Sequence, residues 1–327
     1  MSVVYLTSAG TSVRRRGEIL QVWKGDAKIA EIRLFDLERV VVVGSVQLTT
    51  QALGLLLDRG VDVAFLTGRG RLRGTLLAGE SRNVYLRLAQ FDRWRDEEFR
   101  LTFGRHLTRA KLTAQQRLLA RFERNHPGEL DPEVSERVAE CLAQIPKADS
   151  LEALRGIEGA GAAIYFGQFG RMLRGVPFPG RKKHPSTDAV NALLSLGYVM
   201  LTNEVASALE ARGFDPAVGF FHGIRYGRKS LALDMVEPFR QPVIDRLTLR
   251  LFNRKQVAVS DFEGGKRGLR LSPQALKDYF RVYEEHLSSP SDGRGTPSWR
   301  EKIVEQAADL QKMVMAGQAA ELYTWRG

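Results

Sequence analysis

The amino-acid sequence predicts an α+β protein, with a small β-rich N-terminal domain over residues 1–80 and a larger all-α domain over 81–327. Three observations predict it. Before residue 80 the apolar residues fall in short runs closed by glycine-bearing turns. Between Asn83 and Asn125 the chain is charged, free of proline and nearly free of glycine. Beyond that stretch, apolar residues recur at helical spacing to residue 323.

Each element follows in order. "SVVYLT" reads as a short strand, and "GEILQVWKGDAKIAEIRLF" as two strands about the turn Lys24-Gly25-Asp26. "RVVVVG" (39–44) is a β-branched run suited to a buried strand. Leu53, Leu56 and Leu57 have helical spacing within 49–60, with a stop at Gly60. "VDVAFLTGRGRLRGTLL" reads as strand, Gly/Arg turn, strand, completing a small sheet or sandwich that ends near Ser81. The helix expected over 83–125 carries Leu86, Gln90, Trp94, Phe99, Phe103 and Leu107 near one stripe. "NHPGELD" breaks it, and a further helix covers 132–143. Another begins after Pro146, capped by Asp149 or Ser150. After the basic, proline-rich loop "RGVPFPGRKKHPSTD", helices are expected over 187–212, 230–252, 272–288 and 298–323.

Composition narrows the function classes. Lysine and arginine number 49 against 38 acids, a net charge of +11, which favours a polyanionic partner through counterion release. Arginine dominates, and its planar fork suits phosphate. Cys141 is the only cysteine, which excludes an internal disulfide and a cysteine-rich zinc site. No apolar run reaches the roughly 18 to 20 residues of a membrane span, and "MSVVYLTSAGTSVRRRG" lacks the pattern of a signal peptide. A cytoplasmic protein with no membrane partner is expected.

The chemistry concentrates in "GFFHGIRYGRKSLALDMVEPFRQPVIDR", Gly219 to Arg246. Asp234 and Glu237 are three apart, about 60° from each other on one face of a helix. Leu231, Leu233, Met235, Val236 and Phe239 flank them, while Pro238 and Pro242 disturb the helical ladder. Carboxylates in apolar surroundings need a counterion. Arg240, Arg246 and Arg228 could supply it as ion pairs, or a divalent cation could bind instead. Glu158 raises the same question, because Ala162, Tyr165, Phe166 and Phe169 put it on an apolar stripe. Gly159 and Gly161 beside it each weaken a helix by about 1 kcal/mol, so a close approach should compensate. Of the five histidines, His106, His126, His184, His222 and His286, only His222 stands in an apolar frame. Spacing alone does not bring Glu158, His222 and Glu237 together. Basic runs at 67–74, 180–188 and 227–230, with Arg225, Arg246, Arg250, Lys266, Arg267 and Arg270, offer phosphate contacts around these acids.

Three segments, "EGAGAAIYF" (158–166), "TDAVNALLSLGYVML" (187–201) and Gly219–Arg246, together with the β-then-α order, resemble the CRISPR-associated integrase family, the DNA-cutting and DNA-joining subunit of the spacer-acquisition complex. The resemblance runs over almost the entire chain. It implies that Glu158, His222 and Glu237 bind a catalytic Mg2+ or Mn2+, with Asp234 as an accessory catalytic acid. The last ligand in the family is Asp or Glu, so Glu237 changes reach and not ligand type. It implies support or DNA contact for Tyr165, Asn191, Ser195 and Tyr198, and phosphate contact for Arg225, Arg228, Lys229, Arg246 and Arg250. It also implies a homodimer paired through the β domains, a small ferredoxin-like companion subunit, and double-stranded and branched DNA as substrates. The expected reaction is attack of a 3′-hydroxyl on a phosphodiester of a CRISPR array, with no covalent protein intermediate. A non-catalytic nucleic-acid-binding scaffold is the alternative. A phosphodiesterase of small nucleotides is a third reading, although no Walker-type phosphate loop is present.

Overall fold

Val40–Val43, β-branched and buried, form the middle of a sheet because such side chains pack well on a pleated surface covered on both faces. The computed structural model describes residues 2–35, 37–68, 70, 72–76, 78, 83–182, 185–265 and 268–327. Its chain separates into two compact units, Met1–Glu80 with Arg270–Glu284, and Ser81–Leu269 with Glu285–Gly327. The 270–284 stretch, expected within the helical region, thus groups with the β-rich unit.

The first unit holds β1 (Ser2–Leu6), β2 (Thr11–Arg16), β3 (Ile19–Lys24), β4 (Ala27–Arg33), β5 (Leu37–Val43), β6 (Val46–Leu48), α1 (Thr50–Asp58), β7 (Asp62–Leu66) and β8 (Leu72–Leu76). One sheet has the order β1-β5-β7-β8, with β1, β5 and β7 parallel and β8 antiparallel. The other has the order β4-β3-β2-β6. Its hairpin turns at Gly25, whose φ of 59° lies in the left-handed region that favours glycine. Val13, Leu20 and Val22 of the second sheet, Val40, Val42 and Val63 of the first, and Leu55 and Leu56 of α1 share one core. Strands β2 and β6 were not foreseen, because "TSVRRR" is polar and "VQL" is short.

The second unit is helical: α2 (Val84–Arg95), α3 (Glu97–Asn125), α4 (Val134–Gln144), α5 (Leu151–Phe169), α6 (Ala189–Arg212), α7 (Ser230–Phe239) and α8 (Arg246–Asn253). Then come α9 (Pro273–Leu287), which the division of units cuts, and α10 (Trp299–Ala316). The single helix expected over 83–125 breaks at Asp96, whose extended backbone and side chain cap α3 through a 2.9 Å bond from Phe99 N. Ser150 caps α5 and Asp188 caps α6 in the same way. α10 stops at Gly317 (φ 70°) rather than running to 323, and the tail beyond it buries Trp325. α6 does have the length and apolar character of a membrane span, contrary to the sequence reading, but 61% of its apolar window is buried inside the protein.

The helix expected over 230–252 is interrupted by one wide, π-type turn, Arg240–Asp245. Pro242 has no N–H and its ring would press on the carbonyl of Pro238 in a regular α-helix; widening the turn relieves both. The consequence is positional. Glu237 lies just before the wide turn, Arg240 opens it and Asp245 closes it; Glu237 and Asp245 are buried and Arg240 partly so.

Close helix packing rests on two glycines. A Cβ at Gly161 of α5 would lie 2.3 Å from Leu112 of α3, and one at Gly104 of α3 would lie 3.0 Å from Phe221. Gly159, by contrast, faces open space. Gly159→Ala therefore raises stability by about 0.5–1 kcal/mol through helix propensity, whereas Gly161→Val lowers it by roughly 1–3 kcal/mol through overpacking. Urea unfolding midpoints of the two variants should move in opposite directions.

Candidate metal centre

A buried acid organises the segment between α6 and α7. Asp234, fully buried on α7, accepts three consecutive backbone N–H bonds: Phe220 at 2.7 Å, Phe221 at 3.0 Å and His222 at 2.8 Å. These amides form a small anion-binding concavity. Gly219 makes the approach feasible, since a Cβ there would lie 2.7 Å from the Ser230 carbonyl carbon and 2.8 Å from Asp234 Oδ2. The same segment is held from outside. Gln90 of α2 donates to the Val218 carbonyl, Arg100 of α3 to that of Phe220, and Arg155 of α5 to that of Phe221.

Asp234 also fixes the histidine. His222 Nδ1 stands 2.7 Å from Asp234 Oδ1. A carboxylate only accepts, so Nδ1 carries a proton, and in the neutral ring Nε2 is then the nitrogen with the lone pair. This is the carboxylate–histidine arrangement that orients an imidazole for a metal.

Glu158 of α5 and Glu237 of α7 meet at one cation. Lys111 of α3 is ion-paired with Glu158 and lies 2.7 Å from Glu237 Oε2. Arg240 takes the other oxygen of Glu237 at 3.3 Å. Glu237 is 4% exposed and Lys111 8%. Burial alone would push the Glu237 carboxyl up, but Arg240, Lys111 and His222 together hold it down at about 2. Burial likewise works against the Lys111 ammonium, yet Glu237 and Glu158 raise its pKa above the usual lysine value. Lys111 escaped the sequence reading. The signal was there: with Phe103, Leu107, Ala114 and Leu118 it falls on the buried stripe of α3, a wrong place for a solvated lysine.

The donor chemistry fits a divalent cation. Two carboxylates from different helices share a cation position, His222 acts electrostatically on one of them, and Glu237 Oε2 is buried without an aligned hydrogen bond. Among the described residues, no three His, Cys, Asp or Glu side chains converge closely enough to hold a metal by themselves. The ammonium of Lys111 stands between the two glutamates instead.

A second buried cluster lies beyond Arg240. Asp245, fully buried at the end of the wide turn, accepts from Tyr165 at 2.9 Å and Tyr198 at 2.5 Å. Burial pushes its carboxyl up to about 6, although both tyrosines, Arg181 and Arg240 pull the other way. Arg240 and Arg181 both lie over the Tyr198 ring, at 4.7 and 5.4 Å from its centroid. Arg181 also donates to Asn191 at 2.8 Å and Ser195 at 3.2 Å.

The residues expected to touch DNA therefore divide. Tyr165, Asn191 and Tyr198 are buried and, with the half-buried Ser195, belong to this support network. Arg246 is packed on Trp299 and Trp325, and burial lowers the pKa of both Arg246 and Arg250. Lys229 pairs with Glu210 at 2.8 Å. Arg228 is half-buried, and Arg225 is exposed. Beside Arg225, Ile224 is exposed and Tyr226 fully so, at 108%. Arg69 and Arg71 of the first basic loop, Lys183 and His184 of the second, and Lys266 and Arg267 lie outside the described residues.

Comparison with known proteins adds a relationship. A family model described as CRISPR associated protein Cas1 matches residues 4–285. A Cas4/Cas1 exonuclease–endonuclease fusion of Geobacter sulfurreducens is 36% identical over 293 residues; the match takes in 87% of this chain but spans about half (52%) of that fusion. The CRISPR-associated endonuclease Cas1 1 of Chlorobaculum tepidum is 33% identical, covering 87% of this chain and 86% of its own. Two solved structures share the fold. A casposase bound to integration product has a TM-score of 0.86 at 22% identity, covering 100% of this chain and 94% of that one. A Cas6-RT-Cas1–Cas2 complex has a TM-score of 0.81 at 23% identity, covering 99% of this chain and 36% of that one.

Two outcomes test the buried acids. Asp234→Ala leaves buried N–H groups unpaired and should lower unfolding free energy by about 3 kcal/mol or more, with Asp234→Asn less damaging because it keeps an acceptor. The raised pKa of Asp245 means its proton binds the folded state more tightly. Its stabilisation is full below 3.8 and is lost as pH rises through about 6. Stability of Asp245→Asn relative to the parent should therefore improve as pH rises across that window, measured by denaturant unfolding at each pH.

Proposed function

The chain belongs to the CRISPR-associated Cas1 family, and from that premise we propose that it is a metal-dependent DNA endonuclease and integrase of CRISPR adaptation. One observation carries the metal dependence: Glu158 and Glu237, from two helices, share a single cation position, while His222, with its Nδ1 committed to Asp234, acts electrostatically on Glu237. Mg2+ or Mn2+ held by Glu158, Glu237 and His222 would supply Lewis-acid polarisation of a phosphoryl oxygen and neutralise developing charge.

The protein's own residues do the rest. Asp234 holds the His222 ring in one tautomer and one orientation. Exposed Arg225 beside it offers a phosphate contact, and exposed Tyr226 a flat apolar face for an unpaired base. The net charge of +11 supports a polyanionic partner. The reaction is transesterification: a 3′-hydroxyl loses its proton to solvent as its oxygen bonds to phosphorus, and the displaced 3′-oxygen leaves and is protonated. Hydrolytic nicking of branched DNA replaces the hydroxyl by water. Double-stranded and branched DNA, a second copy of this chain paired through its β-rich unit, and a small ferredoxin-like companion complete the reading, with the cytoplasm as its location. The printed descriptions of the casposase and of the Cas1–Cas2 assembly, which concern those proteins, support the DNA and companion parts of it.

The ion pairs of Lys111 and Arg240 with the glutamates favour one other reading, a non-catalytic nucleic-acid scaffold whose acids are structural. A single experiment separates the two. Branched DNA is incubated with Mn2+ or EDTA, and nicked and joined strands are resolved on a denaturing gel. Glu158→Ala, His222→Ala and Glu237→Ala should each lose at least about a hundred-fold of activity, while fluorescence anisotropy shows DNA affinity retained. Joining that survives all three substitutions, or EDTA, sinks the metal-dependent reading.

A further inference from the structure

We propose that Lys111 is a built-in counter-cation of the metal centre: its ammonium holds Glu158 and Glu237 together in the metal-free protein and competes with a divalent ion for the same two carboxylates. The proposal rests on the metal reading given above, and concerns a residue outside the expected ligand set.

The physical reason begins with charge. Two carboxylates brought to one buried point repel, and at least one would take up a proton if nothing neutralised them. Here two acids face two bases, Lys111 and Arg240. The arrangement balances without a metal. Adding a divalent ion with both bases in place would leave two surplus positive charges in a poorly solvated site. One base must withdraw, and geometry selects which. Arg240 is fixed at its far side by stacking over Tyr198, whose hydroxyl is tied to Asp245. Among the described residues the ammonium of Lys111 pairs with Glu158 and Glu237 and has no such second anchor.

The lysine side chain suits that role. Its charge sits at the end of a flexible four-carbon stem, so the ammonium can swing away while the stem stays packed. Its backbone cannot follow, because Leu107, Leu112, Ala114 and Leu118 hold this part of α3 in the core. Glu237 would keep Arg240 after the exchange, so the acid on α7 never stands alone. Lysine and metal are thus alternative occupants of one position, and their binding is reciprocally coupled. The site stays assembled between ions instead of springing open.

Measurement of Mn2+ binding by calorimetry, with melting temperature in EDTA and in Mn2+, tests this without reference to activity. Lys111→Met keeps the length and removes the charge. It should bind Mn2+ about ten-fold more tightly or better, melt lower in EDTA, and gain more on adding Mn2+ than the parent. Lys111→Gln, smaller and polar, should show the same direction if the methionine variant folds poorly. Lys111→Arg, which keeps the charge, should not gain affinity. A merely structural lysine would lower the melting temperature without tightening the metal, and that outcome overturns the proposal. Glu237→Gln provides the control on the underlying reading. If the parent binds Mn2+ and Glu237→Gln does not, yet Lys111→Met is unchanged, the proposal fails and the metal site stands. If the parent binds no Mn2+, both fail.

Discussion

Two carboxylates, one buried and one half-buried, brought together where α3, α5 and α7 converge set the terms for the rest of the helical unit. Glu158 and Glu237 gain nothing from apolar surroundings, so their placement requires a cation at hydrogen-bonding distance and a rigid frame to keep it there. The frame depends on missing side chains. Gly161 lets α5 close on α3, and Gly219 lets the histidine-bearing segment reach the carboxylate on α7. Each of these close approaches costs backbone freedom, and the electrostatics they permit are what compensates.

Asp234 and Asp245 are both fully buried acids, yet they are stabilised by different means. Asp234 is satisfied by three backbone amides and one imidazole, so its partners belong to the chain path itself. Asp245 depends on two tyrosine hydroxyls and on arginines that do not touch it, which leaves burial the larger effect. Arg240 joins the two regions, pairing with Glu237 on one side and stacking on Tyr198 on the other. The wide turn that it opens therefore has a structural consequence: it places Asp245 at the two tyrosines while Arg240 stays paired with Glu237.

Much of this was legible in the chain before folding. Asp234 and Glu237 three apart, Glu158 on an apolar stripe and a histidine in an apolar frame were each readable as local violations of burial rules. Lys111 broke the same rule and passed unnoticed, because a lysine in a long basic helix looks ordinary unless the stripe is traced through it. The exposure of the basic residues was least legible. Arg225 and Arg246 look alike in sequence, but one is exposed and the other is stacked on two buried tryptophans. Charge runs report composition, and exposure is a property of packing.

By itself the sequence determined the order of a β-rich region and a helical one, the approximate span of most helices and the identity of the acids and histidine. Periodicity, caps and breakers are local, and local physics suffices to read them. Tertiary structure alone decided that Glu158 meets Glu237, that Lys111 stands between them, that Asp234 serves His222, and that Tyr165 and Tyr198 face an aspartate. Those pairings run from His222 with Asp234, 12 positions apart, to Lys111 with Glu237, 126 apart (237 − 111), and no spacing rule spans such distances. They follow from how three helices close over one buried cluster of charge, where an unpaired group would be too expensive to keep.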